Sequence, residues 1–223
     1  VDAALHDWAG KRFDVPTYQW LGLKAAYPFV TSFTIGIDEP RAVVRRVQAA
    51  EGYPILKLKL GGPNDEEIVA LVRELAPTKT LRVDANTAWT VEQALAMLPR
   101  LARYGVEFVE QPLVAADRTG LRRLKEAGIC LIVADESCVR PGDVIGLAGC
   151  VDGVNIKLSK CGGIREALKM IHLARGVGLK VMLGCMIESS LGISAALQLA
   201  PFADWLDLDG HLLLARDPFT GIG

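Results

Sequence analysis

The sequence ILKLKLGG, residues 55–62, is the clearest sign of the fold, because it is a short apolar run that leads into Lys59 and two glycines. Runs rich in Val, Ile and Leu that close on a charged residue recur along the chain, with successive gaps of 25, 26, 25, 22, 31 and 21 residues. A gap of that size holds one strand, one helix and two loops. The repeat therefore predicts parallel strands whose charged ends lie on one rim. The charged residues are Lys59, Asp84, Glu110, Asp135, Lys157, Glu188 and Asp209.

Eight strands alternating with helices predict a parallel sheet, most simply closed as a (β/α)8 TIM-type barrel. Amphipathic helical patterns such as DEEIVALVRELA and VEQALAMLPRLARYG separate the strands. An open doubly wound sheet is the alternative, but no G-x-G-x-x-G follows the first strand. Only a short tail follows the eighth strand, so we expect a modified barrel with an incomplete last helix. The strands are predicted near residues 29–37, 54–60, 80–85, 106–111, 129–135, 153–158, 180–187 and 205–209.

The composition narrows the class of protein. Of the 223 residues, 51% are hydrophobic, which is enough for a large core. The net charge of −1 and the lack of a basic stripe argue against nucleic acid as a partner, and no apolar run approaches the roughly 18 residues of a membrane helix. Five cysteines without a C-x-x-C pair favour a reduced, cytoplasmic protein over a disulfide framework.

Lys57 and Lys59 lie two residues apart on a predicted strand, so both side chains point to the same face. Strands of a parallel barrel have no solvated face, so we expect that face to be the interior. Neighbouring ammonium groups disfavour each other's charge, and partial burial adds to the effect. This makes a lysine available as a general base near neutral pH. An edge strand with solvated lysines is the alternative.

The motifs VDAN, VEQP and ADES place three carboxylates, Asp84, Glu110 and Asp135, at the ends of adjacent strands. Because adjacent strands lie about 4.8 Å apart, the carboxylates should converge, and without a cation they would repel one another. Such an all-oxygen donor set suits one Mg²⁺ ion. Asn86 and Glu136 stand beside these residues and are candidate supporting partners of the ligands; a solvated loop position is the alternative for each.

The motif NIKLSK brings Lys157 to the end of the sixth strand, almost opposite Lys59 in an eight-strand ring. Lysines on opposite sides of a metal can work on opposite faces of one carbon, so that one removes a proton and the other returns it. A structural ion pair with one carboxylate is the alternative for Lys157.

The motif WLDLDG carries Asp207 and Asp209 on the eighth strand, two residues apart and therefore both pointing inward. A pair of carboxylates outside the metal triad suits a substrate ammonium group; a barrel end paired with Lys or Arg is the alternative. Glu188, in MIESS, is expected to border the site and to position substrate or a lysine.

Together the motifs K-x-K, V-D-A-N, V-E-Q-P, A-D-E-S, N-I-K-L-S-K-x-G-G and M-I-E-S-S-L-G resemble the enolase superfamily, muconate-lactonizing-enzyme subgroup, along the whole chain. The resemblance implies one Mg²⁺ on the three carboxylates, acid/base roles for Lys59 and Lys157, and a helper role for Lys57. It also implies removal of the proton α to a substrate carboxylate, through a metal-stabilised enediolate.

Within this subgroup the D-x-D motif of Asp207 and Asp209 is similar to that of dipeptide epimerases of the L-Ala-D/L-Glu epimerase type, where it binds the free α-amino group. The resemblance therefore implies an isomerase that inverts the C-terminal residue of a small dipeptide by 1,1-proton transfer. The alternatives are an N-acylamino acid racemase, an o-succinylbenzoate synthase or a cycloisomerase of the same subgroup. A non-catalytic barrel that serves as a binding module is the alternative of another class.

Relatives in this subgroup carry an N-terminal α+β capping domain and often form symmetric oligomers. Residues 1–23 are expected to be the final helix and linker of such a domain, and residues 24–223 the barrel domain. The chain does not begin with Met, so we expect it to be part of a longer protein that holds most of the cap. The loops of that cap choose the substrate side chains, and we expect them to lie outside this sequence. The sequence therefore does not predict which dipeptide is preferred.

Overall fold

The computed structural model of the protein describes residues 1–24 and 28–220. Residues 25–27, at the start of the predicted barrel domain, and residues 221–223, at the end of its tail, lie outside the described residues. The described helices are α1 (Asp2–Phe13), α2 (Thr17–Trp20), α3 (Pro40–Ala49), α4 (Asp65–Leu75), α5 (Val91–Arg103), α6 (Arg118–Glu126), α7 (Pro141–Leu147), α8 (Leu158–Cys161), α9 (Ile164–Gly176) and α10 (Ser190–Leu197).

The eight predicted strands are all present and form one sheet in sequence order, with parallel pairing wherever a register is defined. Strand order and intervening helices make this the TIM-type barrel fold that the repeat predicts. After the eighth strand the described residues hold a 3₁₀ turn, Gly210–Leu213, and no α-helix. The strands are β1 (Phe33–Ile35), β2 (Ile55–Lys59), β3 (Thr80–Asp84), β4 (Val106–Glu110), β5 (Leu131–Ala134), β6 (Gly153–Lys157), β7 (Lys180–Gly184) and β8 (Trp205–Asp207).

Burial explains why these sequences form strands and helices. In β2, Leu56 and Leu58 are buried on one face and Lys57 on the other, as expected for a parallel strand covered on both sides. Helix α5 instead buries one stripe, Ala94, Leu98 and Leu101, at helical spacing. It begins with a capping box, in which the Thr90 hydroxyl accepts from the N3 backbone and the N3 side chain accepts in return.

By their internal packing the residues fall into two compact units. The β1–β5 unit comprises Ser32–Ser137 and Leu147–Val154, and it contains β1 to β5, α3 to α6 and the start of β6. The β7–β8 unit comprises Val1–Thr31, Cys138–Gly146 and Asn155–Gly223. None of the described helices has the length and apolar composition needed to cross a lipid bilayer.

The amino-terminal helix predicted from the sequence is α1. Its Ala9 is buried, whereas Leu5 and Trp8 are 60% and 63% exposed. At its start, a carboxylate oxygen of Asp2 accepts a hydrogen bond from the backbone N–H of Arg165, at 3.2 Å. This contact places a negative charge at the amino end of α9, where free N–H groups favour it.

Candidate active site

Lys57 and Lys59 share one face of β2, as predicted, but differ in their surroundings. The Lys57 side chain is 2% exposed, and its Nζ lies 2.6 Å from Glu110 Oε2 and 3.2 Å from Asp84 Oδ2. The Lys59 side chain is 28% exposed, and its Nζ donates to Asp84 Oδ2 at 2.6 Å and to Asn86 Oδ1 at 2.9 Å. Lys57 is thus enclosed among carboxylates, whereas Lys59 keeps access to solvent.

The sheet register brings the first two predicted metal ligands together. Lys59 pairs with Asp84 across β2 and β3, and Asp84 pairs with Glu110 across β3 and β4. Both carboxylates are fully buried, and Asp135, just past the end of β5, is nearly so. Buried carboxylates require a nearby positive charge, which Lys57 and Lys59 supply to Asp84.

The described residues contain no group of three His, Cys, Asp or Glu side chains placed closely enough to hold a metal ion as they stand. Instead the Lys57 ammonium bridges Asp84 and Glu110, so that oxygens from neighbouring strands already share one cation. Their chemistry fits Mg²⁺, which prefers carboxylate oxygens. The ligand set Asp84, Glu110 and Asp135 stays a prediction that this donor chemistry supports.

Of the predicted supporting residues, Asn86 contacts Lys59 and Asp84, and Glu136 contacts Asn86. Asn86 accepts from Lys59, donates from its backbone N–H to Asp84 Oδ1 at 2.9 Å, and donates from its side chain to Glu136 Oε1 at 3.2 Å. Its φ of 42° is left-handed, a conformation that Asn tolerates better than most residues. Asn86, in the loop after β3, therefore links the end of β2 to the loop after β5.

An Asp–Trp contact that the sequence analysis missed holds the loop after Lys59. The Asp65 carboxylate accepts from the backbone N–H groups of Gly61 and Gly62, at 2.9–3.0 Å, and from Trp89 Nε1 at 3.1 Å. Asp65 and Trp89 are both buried. The contact ties the β2 loop to the β3 loop, which carries Asn86. Asp65 and Trp89 are 24 positions apart in sequence, and no pattern in the sequence indicates their hydrogen bond.

A second missed residue is Gln111, the third letter of V-E-Q-P. Its buried side chain bonds to the backbone of Asp135 and to Ser137, and so joins the end of β4 to the loop after β5. The only signal in the sequence was a polar residue between a predicted ligand and a proline.

The remaining predicted site residues lie in the β7–β8 unit. Lys157 ends β6, Asp207 ends β8 and Asp209 follows it; all three are buried. Glu188 Oε1 accepts from the backbone N–H of Met186 at 3.1 Å, in the loop after β7. Lys157 and Asp207 end their strands as predicted, whereas Asp209 was predicted on the eighth strand and instead lies beyond its end, because the backbone turns there into the 3₁₀ segment Gly210–Leu213. The roles of these residues stay predictions.

The two aspartates affect a neighbouring thiol. Burial, and then the charges of Asp207 and Asp209, raise the pKa of Cys185 to about 12. Its Sγ also accepts from Gly210 N–H and lies 3.3 Å from the Asp207 carbonyl oxygen. A thiol that keeps its proton is a poor nucleophile, which agrees with the absence of a cysteine from the predicted chemistry.

The tail after β8 returns to the start of α10. Asp217 accepts from the backbone N–H of Ser190 at 2.7 Å and of Phe219 at 3.0 Å. These hydrogen bonds, the one from Phe219 first, lower the pKa of Asp217. The contact joins the tail to the segment that carries Glu188.

The strand order and the lysine–carboxylate cluster define the class of TIM-type barrels that carry polar residues at the carboxyl ends of their strands. Within this class, the family described as Enolase C-terminal domain-like matches residues 39–214. The chain belongs to that family, which confirms the resemblance seen in its motifs.

Named relatives are similar over the whole chain. The identity is 45% to the L-Ala-D/L-amino acid epimerase of Maribacter sp., of which the chain spans 65%, and 42% to the L-Ala-D/L-Glu epimerase of Bacteroides thetaiotaomicron, of which it spans 58%. The match covers 100% of this chain in both cases. The chain therefore spans less than two thirds of the length of these relatives.

A solved structure supports the same relationship. The dipeptide epimerase from Enterococcus faecalis V583, complexed with Mg and the dipeptide L-Leu-L-Tyr, is 38% identical and superposes with a TM-score of 0.92. The match covers 99% of this chain and 65% of that chain.

Proposed function

We propose that the protein is a Mg²⁺-dependent dipeptide epimerase that inverts the α-carbon of the C-terminal residue by 1,1-proton transfer through an enediolate of the substrate. Relatives named dipeptide epimerases, one of them solved with Mg and a dipeptide, support the substrate class and the metal. The five cysteines form no disulfide bond with one another, and the proposed location is the reducing cytoplasm.

The observation that carries the proposal is the position of Lys59. Its ammonium group is hydrogen-bonded to Asp84 and Asn86 at the carboxyl end of β2, while the side chain stays 28% exposed. A group held in place and still reachable by a small molecule has the geometry that a general base needs. Lys57 lacks that access, because it is enclosed by Asp84 and Glu110, and its proposed role is to compensate the charge of these carboxylates.

Asp84, Glu110 and Asp135 would hold the Mg²⁺, which when bound would supply positive charge to the substrate carboxylate as negative charge develops there. In this role Asp84 has two tasks, because its Oδ2 also accepts from Lys59. Asn86 keeps the lysine in place through its side-chain oxygen.

Lys157 is proposed as the second acid/base. It returns a proton to the α-carbon when Lys59 has removed one, and it removes the proton when the reaction runs in the opposite direction. Asp207 and Asp209 are proposed to bind the free α-ammonium group of the dipeptide, and Glu188 to position the substrate. Asp207 is the last residue of β8, Asp209 lies just beyond it, and both are buried, so a substrate cation would compensate their negative charge.

Deuterium exchange tests this function. The protein is incubated with Mg²⁺ and a panel of L,L-dipeptides, beginning with L-Ala-L-Glu, in D₂O, and NMR follows the α-protons. Deuterium should enter only at the α-carbon of the C-terminal residue, together with formation of the L,D-dipeptide.

The matched control uses the same dipeptides acetylated at the amino terminus, which lack the ammonium group and should react more slowly. Faster turnover of N-acylated amino acids than of every free dipeptide would instead establish the N-acylamino acid racemase alternative. A lack of exchange with every compound would favour the non-catalytic alternative.

A further inference from the structure

The Gln111 side chain uses all of its hydrogen-bonding capacity. Its Oε1 accepts from the backbone N–H of Asp135 at 2.9 Å and of Ser137 at 3.1 Å. Its Nε2 donates to the Leu113 carbonyl at 2.7 Å and to Ser137 Oγ at 2.9 Å. The amide is fully buried. A flipped amide would place its NH₂ group against two backbone N–H groups and its oxygen against the Leu113 carbonyl, so the partners fix its orientation.

The Gln111 backbone is held in the same way. Its N–H donates to the Val133 carbonyl and its carbonyl accepts from the Thr87 N–H, both at 2.8 Å. Its φ of 34° is positive, which is unusual for a residue other than glycine. A left-handed conformation of this kind persists only where the surroundings enforce it. Gln111 thus joins the ends of β3, β4 and β5 through one residue.

Two of the three proposed metal ligands lie directly at this junction. Glu110 precedes Gln111 in the chain, and Asp135 receives one of its hydrogen bonds on the backbone N–H. We propose that Gln111 is a positioning residue that sets the spacing of Glu110 and Asp135 for the metal ion. This inference rests on the metal site of the proposed function.

A residue that only stabilised the fold could tie β5 anywhere along its length. Asp152 provides such a tie at the other end of the strand, where its carboxylate accepts from the Ile132 N–H at 2.8 Å and pairs with Lys125 at 3.1 Å. In both the Asp152 contact and the Gln111 contact, a side-chain oxygen accepts from a backbone N–H in or just after β5. Only the Gln111 contact lies beside proposed metal ligands. Asp152→Ala is therefore a matched control for the loss of a tie on β5.

The test compares Gln111→Met with Asp152→Ala in the complete protein. Isothermal titration measures the dissociation constant of Mg²⁺ alone, with Mn²⁺ followed by electron paramagnetic resonance as a second probe, and thermal melting in EDTA measures the fold. Both variants should have a lower melting temperature than the parent. Gln111→Met should bind Mg²⁺ roughly 10- to 100-fold more weakly, as for other residues that orient metal ligands, while Asp152→Ala should match the parent.

The outcomes separate the inferences. If the parent binds Mg²⁺ and folded Gln111→Met binds it equally well, or if Asp152→Ala loses as much affinity, the positioning role is wrong and the metal site stands. A parent that binds neither ion overturns the metal site and this inference together. If Gln111→Met does not fold, Ser137→Ala decides: it removes one of the four side-chain hydrogen bonds and should weaken Mg²⁺ binding less but measurably, whereas unchanged affinity contradicts the role.

Discussion

Lys79 and Lys59 lie at opposite ends of neighbouring strands in the β1–β5 unit. Lys79, just before β3, donates from Nζ to the carbonyl oxygens of Ala50, Glu51 and Tyr53, at 2.6–2.7 Å. Lys59, at the end of β2, instead contacts the Asp84 carboxylate and an amide oxygen.

The difference shows how one residue type serves two purposes. An ammonium group has three donors, and at Lys79 all three are used by neutral backbone carbonyls that tie the end of α3 to the start of β3. Lys59 has ionisable and polar side chains as its partners, so its contacts can change when a proton, metal or substrate arrives. We infer that the amino ends of these strands serve stability and the carboxyl ends serve chemistry.

The strongest test of this comparison is Lys59→Met, which removes the ammonium group and keeps the length of the side chain. Turnover should fall at least ~10³-fold, because the proposed general base is lost. Stability should change by less than about 2 kcal/mol, because Asp84 keeps its contact with Lys57. Dipeptide epimerisation and thermal melting measure the two effects. Retained turnover would contradict the assignment of Lys59.

Asp65→Ala tests whether the loop after β2, at the carboxyl end of the strand, must be held in place for turnover. The N–H groups of Gly61, Gly62 and Trp89 would lose their acceptor, at an expected cost of about 3 kcal/mol in the free energy of unfolding. Turnover should also fall, by roughly 10-fold, because this loop directly follows Lys59. Urea denaturation and initial rates measure these losses. A destabilised variant with parental turnover would show that the loop does not position the lysine.

Lys79→Met is the same replacement as Lys59→Met at the other end of the strands. The loss of three charge-assisted hydrogen bonds, on a half-buried side chain, should cost about 2 kcal/mol of stability. For a chain of this size the melting temperature should fall by roughly 4–8 °C. Turnover at a temperature where both proteins are folded should match the parent. A loss of turnover as large as that of Lys59→Met would remove the distinction between the two ends.

The sequence predicted the residues whose position follows from strand periodicity alone. Lys59, Asp84 and Glu110 close apolar runs, and a parallel sheet must bring such ends to one edge. Lys57 is predicted from its place two residues before Lys59, on the same face of the strand. Their order along the sheet then follows from the strand order.

The residues that the sequence analysis missed act through long-range hydrogen bonds. Gln111, Asp65 and Lys79 each bond to loops that are distant in sequence, and a polar residue near a proline or glycine looks the same whether it is solvated or buried. Periodicity records which face a side chain occupies, but it holds no information on which loop lies against that face.

The smallest effect on stability is expected for the surface ion pairs of Glu66, and it gives a baseline for the other substitutions. Glu66 on α4 contacts Arg100 at 2.7 Å and Arg103 at 3.1 Å on α5, and both arginines are half-exposed or more. Solvent screening makes such pairs worth about 0–1 kcal/mol. Glu66→Gln should therefore shift the melting temperature by less than about 3 °C and leave turnover unchanged, in low and in high salt. A shift as large as that of Lys79→Met would mean that exposed ion pairs stabilise this unit as much as the strand-end contacts, and stability could then no longer be assigned to the amino ends of the strands.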